Sequence, residues 1–76
     1  MSEADKLLNA LGFNIASMEE IKFKKKTRQW REDGELEITF NEDRTIDIGF
    51  GGRLPVFIAF EELQAINAKV KELGWE

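Results

Sequence analysis

Lys22, Lys24, Lys25, Lys26, Arg28 and Arg31 fall within the eleven residues IKFKKKTRQWR, a stretch without a single acid in a chain whose net charge is −4. Cationic groups at this density neutralise phosphates, and an aromatic face beside them stacks unpaired bases. The spacing therefore suits single-stranded DNA or RNA held by Lys22, Lys24, Lys26 and Arg28, with Trp30 stacking. Arg53, in the glycine-rich segment GFGGR, is a further candidate for a phosphate contact. The same stretch has a plainer use. Lysines along an edge strand keep it from pairing with other chains, and Glu35 and Glu37 in the next segment can serve as cross-strand counter-charges. The remaining residues sum to −10, a background that repels polyanions.

Other chemistry has little to stand on. Acid–base catalysis near neutral pH leans on histidine and nucleophilic catalysis on an activated hydroxyl or thiol, yet the chain has no His, Cys or Tyr. Ser17 opens Ser-Met-Glu-Glu, a pattern for local hydrogen bonding to backbone amides. Glu19–Glu20 and Glu61–Glu62 read as solvated or helix-start pairs without opposing carboxylates. Asn41-Glu42-Asp43 lacks the length and glycine of a calcium loop and reads as a turn. GFGGR has no following Gly-Lys-Ser/Thr to cradle a phosphate. The expectation is a protein that binds rather than catalyses, with no catalytic residue, no metal ligand and no cofactor.

The elements that must carry these residues follow from periodicity. Ser2 caps a first helix that holds Leu7, Leu8 and Leu11 and stops at Gly12; Leu63, Ile66, Val70 and Leu73 form the apolar face of a last helix that stops at Gly74. Between them, alternation predicts strands through Leu36–Phe40, Ile46–Phe50 and Leu54–Phe60, joined to the basic stretch as a fourth. A loop at Glu42-Asp43-Arg44 sets Phe40 beside Ile46 and Ile38 beside Ile48. A loop at Gly51-Gly52-Arg53 sets Phe50 beside Leu54. A three-residue loop at Glu32-Asp33-Gly34 would bury Trp30 beside Leu36, whereas a tighter Asp33-Gly34 turn would face it outward. A bulge between Lys24 and Thr27 reconciles Ile21 and Phe23 with Trp30, and places the basic stretch at one edge of the sheet; Pro55 marks the other edge.

The order Trp30, Glu35-Leu36, Phe40-Asn41, Ile46-Asp47-Ile48, an aliphatic strand and Glu61-Glu62-Leu63 opening a helix resembles the positive-cofactor-four family of single-stranded-DNA-binding coactivators. The resemblance covers about residues 21 to 73 and implies a dimer that binds single strands across its sheet. The chain departs from that family by its first helix, by Gly49 after Asp47-Ile48, and by the lack of Lys-Gly-Ile before the last helix. EELQAINAKVKELGW is also similar to small phage proteins of Gram-positive hosts, which implies no residue-level role.

The reading is thus one α+β domain over residues 1–76, ordered α-β-β-β-β-α, with a four-stranded antiparallel meander covered on one face by two helices. The N-terminus lacks a secretory signal and, with no cysteine, points to a cytoplasmic location; no stretch is apolar enough to enter a membrane. Two partners compete. One is nucleic acid at the basic strand. The other is a protein docked on an outward Phe57 or along the open strand edge, with self-association into a homodimer among the expectations. Met18 and Phe23 read as core.

Overall fold

A computed structural model describes residues 2–17 and 19–75, so Met18 lies outside the described residues. The elements are α1 (Glu3–Ala10), β1 (Asn14–Ile15), β2 (Ile21–Gln29), β3 (Glu32–Phe40), β4 (Ile46–Gly49) and α2 (Phe60–Glu72). The four strands form one antiparallel sheet in the order β1-β2-β3-β4, so the α+β class and the meander hold. The chain divides into two compact units. One takes the residues up to Gly12 and from Ile58 onward; the other is Phe13–Phe57.

The helical unit is closed by polar groups. Ser2 Oγ accepts the Asp5 amide at 3.1 Å and donates to Glu72 Oε2 at 2.9 Å, joining the start of α1 to the end of α2. Lys69 Nζ, on α2, donates to Asp5 Oδ1 at 2.9 Å and to Glu72 Oε1 at 3.4 Å. The buried face of α2 is Glu62, Ala65, Ile66 and Lys69, so the apolar stripe expected through Leu63 is rotated, and Leu63 is exposed. Its two charged members are both satisfied: Glu62 Oε1 accepts the Ala59 amide at 2.7 Å, and Lys69 has its carboxylates. A buried charge so paired avoids the full desolvation cost.

In the sheet unit, β2 and β3 pair without interruption from Ile21↔Phe40 to Gln29↔Glu32, so there is no bulge between Lys24 and Thr27. The turn is Trp30-Arg31, both at positive φ (56° and 58°), and neither expected loop at Asp33-Gly34 forms. Leu36 lies opposite Lys25, not Trp30. Turn chemistry alone favours Asp-Gly, because non-glycine residues in the left-handed region cost about 1–2 kcal/mol each. Side-chain burial decides otherwise. A turn at Asp33-Gly34 would move Phe23 opposite Arg44 and Ile38 opposite Gln29. The observed register pairs Phe23 with Ile38 and Ile21 with Phe40, leaving Phe23, Leu36, Ile38 and Phe40 almost wholly buried. Burying side chains of this size contributes about 1.5–3 kcal/mol apiece, more than the turn loses. Arg31→Gly should therefore raise stability by about 1 kcal/mol in urea unfolding, since only the left-handed penalty is removed.

The β3–β4 loop pairs Phe40 with Ile46 and Ile38 with Ile48, as the sequence predicts. Asn41 Nδ2 donates to Thr45 Oγ1 and Asp47 Oδ2, both at 3.0 Å. Thr45 donates its hydroxyl (2.5 Å) and amide (3.1 Å) to Asp43 Oδ1, and these bonds hold the Asp43 carboxyl below its ordinary range.

The expected strand through Leu54–Phe60 is not a strand, so Pro55 marks no sheet edge and Phe50 is not paired with Leu54. Instead residues 50–57 cross the apolar face at the β2–β3 hairpin end. Phe50, 3% exposed, lays its ring against Gly34, where an added Cβ would stand 2.7 Å from Cζ. Arg53 then pairs with Glu32, and Trp30 Nε1 donates to the Pro55 carbonyl at 2.9 Å. The Gln29 side chain grips the Phe57 backbone from both sides, donating to its carbonyl at 2.8 Å and accepting its amide at 2.9 Å. Gly34 is thus a close-approach residue under a crossing strap.

Candidate interaction edge

Strand alternation splits the basic stretch between two faces. Lys25 is on the apolar face, its ammonium 5.3 Å from the centre of the Phe13 ring, a cation–π contact. Lys22, Lys24, Lys26 and Arg28 are on the opposite face, directly across from Thr39, Glu37, Glu35 and Asp33. Three of these four cations face an acid. Lys22 pairs with Glu20 (3.2 Å) and Glu37 (3.8 Å), and Lys24 with Glu37 (3.9 Å). Asp47, beside Thr39 on β4, adds another carboxylate to the same face. Lys26 and Arg28 are exposed and close no ion pair among the described residues; Arg28 Nη2 donates only to the Arg31 carbonyl, at 3.2 Å. An open depression of about 620 Å³ beside them is lined by Lys26, Thr27, Arg28, Asp33, Gly34 and Glu35, so its walls carry both signs of charge.

The basic strand is not the outermost strand of the sheet. The short β1 pairs Asn14 with Lys24 and Ile15 with Phe23, and the Ala16 amide donates to the Lys22 carbonyl at 2.9 Å. Backbone groups of an antiparallel strand alternate in direction, so Lys22, Lys24, Lys26 and Arg28 all turn their N–H and C=O away from β3. β1 ends beside Lys24. Beyond it, among the described residues, no strand pairs with Lys26 or Arg28 on that side. The sequence missed β1 because two paired residues carry no readable period.

Trp30 is neither buried beside Leu36 nor free to swing. Its indole N–H is spent on Pro55, and its ring packs on Phe57 with centroids 5.6 Å apart and planes tilted by 50°. Both remain open to solvent, at 41% and 55%, so the exposed Phe57 has Trp30 as its aromatic neighbour, at the hairpin end and not on a strand face. Arg53 is engaged by Glu32. Ser17 makes local contacts, its Oγ accepting the Glu19 and Glu20 amides at 3.2 and 3.1 Å. Among the described residues no cluster of three or more His, Cys, Asp or Glu could hold a metal ion, and no helix is long and apolar enough to cross a membrane.

No family model, curated protein or solved structure matches the chain.

Proposed function

We propose that the chain is a non-enzymatic binding module that takes an extended protein segment as an added strand along β2, beyond the end of β1. The observation that carries this reading is the pair of outward-directed backbone units at Lys26 and Arg28, which no strand among the described residues meets. An added strand gains main-chain hydrogen bonds there and finds the exposed Trp30–Phe57 pair at the end of the same strand. A cytoplasmic location accords with the lack of cysteine.

Single-stranded nucleic acid is the second reading, favoured by the exposure of Lys26 and Arg28. Its difficulty is the engagement of the other groups it would use. Lys22 and Lys24 share Glu37, Arg53 is held by Glu32, and Trp30 is fixed between Pro55 and Phe57. Two uncommitted cations facing Glu35 and Asp33 make a weak grip on a polyanion.

Titration of labelled oligothymidylate at two salt concentrations separates the readings. The strand-addition account expects no saturable binding even at low salt. Tight binding with a log–log salt slope of about 3, as four phosphate contacts would give, establishes the nucleic-acid reading instead.

A further inference from the structure

Any occupant of the open edge lies one strand spacing from β2, about 5 Å, and two spacings from β3, about 10 Å. The near strand presents Lys26 and Arg28 on the polar face; Asp33 and Glu35 belong to the far one. Coulomb energy falls with distance, and at physiological salt screening acts over about 8 Å, so the cations dominate what the incoming strand feels. Side chains of an added strand that point to the polar face stand directly beside Lys26 and Arg28 and are two residues apart in sequence.

A second copy of this chain using the same edge fails that test. Antiparallel pairing of β2 with itself about Thr27 sets Lys26 opposite Arg28 of the other copy, and every polar-face position from Lys22 to Arg28 is cationic, so any in-phase register puts like charges together.

Resting on the strand-addition reading, we infer that the partner of this edge is an extended segment with carboxylates at alternating positions, which would stand beside Lys26 and Arg28. Residues between those carboxylates face the side of the sheet that carries Thr27 and Gln29, where β-branched or other apolar side chains fit. The docked segment runs toward the exposed Trp30–Phe57 pair at one end and is stopped by β1 at the other.

The test uses the intact protein, isotope-labelled, and a peptide of alternating glutamate and valine as probe. The expected result is slowed hydrogen exchange at the Lys26 and Arg28 amides, with binding about tenfold tighter than for the same peptide carrying glutamine in place of glutamate. The Lys26→Glu/Arg28→Glu variant should reverse the preference, losing the glutamate peptide and accepting one of alternating lysine and valine. Lys26→Pro removes an N–H that serves no partner strand among the described residues and should abolish binding of either peptide; if that variant does not fold, the charge reversal still decides. Equal affinity for the glutamate and glutamine peptides overturns the acidic preference while leaving strand addition in place. Shifts that spare Lys26 and Arg28 for every peptide overturn strand addition as well. Displacement of the peptide by oligothymidylate, or concentration-dependent shifts of the free protein at these residues, replaces the peptide partner with nucleic acid or a second copy.

Discussion

Ile38→Ala is expected to lower the unfolding free energy by about 2–5 kcal/mol, a large part of the roughly 4–11 kcal/mol typical for a chain this size. Ile38 is fully buried and central, with Phe23 on one side and Ile48 on the other. It also fixes which register β2 and β3 adopt, because its pairing with Phe23 is what outweighs the better turn available at Asp33-Gly34. Urea unfolding checks the loss. A change below about 1 kcal/mol would mean that this position has room to collapse or that the strands pair differently.

Phe50→Ala should cost about 3–5 kcal/mol, and here the useful quantity is its coupling to Gly34. Gly34→Val places a Cβ 2.7 Å from the Phe50 ring, which must then move, at about 1–3 kcal/mol. Once Phe50 has been truncated, valine enters without opposition and gains the strand preference that glycine lacks. The double variant should therefore be less destabilised than the sum of the two single losses, by about 1 kcal/mol or more. Strict additivity would show that the strap does not rest on Gly34. The consequence reaches the edge as well, because the strap delivers Phe57 to Gln29 and Pro55 to Trp30. A loosened strap frees the aromatic pair and the Trp30-Arg31 turn together.

Much of this architecture is legible in the sequence where a period runs long enough. The alternation Leu36, Ile38, Phe40 and Ile46, Ile48 specifies both the strands and their register, since a one-residue slip would turn the apolar set to solvent. Ser2, Gly12 and Gly74 mark helix ends by local chemistry and do so here. Local rules mislead in three places, each time because packing overrides them. Gly34 looks like a turn residue and is a contact residue. Leu54–Phe60 alternates like a strand, yet the chain crosses the strands as a strap held by side-chain hydrogen bonds to Trp30 and Gln29. Lys69 looks like a solvated helix charge and is 7% exposed, since Asp5 comes from the far end of the sequence to meet it.

The candidate site was half visible. The crowding of cations around Lys24 is plain in one dimension, and Glu35 and Glu37 are readable as their counter-charges. What composition does not show is the division of those cations by face, with Lys25 over Phe13, Lys22 and Lys24 at Glu37, and Lys26 and Arg28 without an ion pair among the described residues. Nor does it show that β1 covers the strand only as far as Lys24. The open part of the edge is set by where a two-residue strand stops, a boundary fixed by tertiary pairing.

Residue-resolved hydrogen exchange on the free protein tests that boundary most directly. The amides of Lys25, Thr27 and Gln29, which face β3, should be protected, while those of Lys26 and Arg28 exchange at rates close to an unprotected chain, giving a period-two pattern that disappears toward Phe23 and Lys24, where β1 covers the other side. Protection of Lys26 and Arg28 equal to that of Thr27 would mean that the edge is already occupied, and the account of a partner strand there would fall.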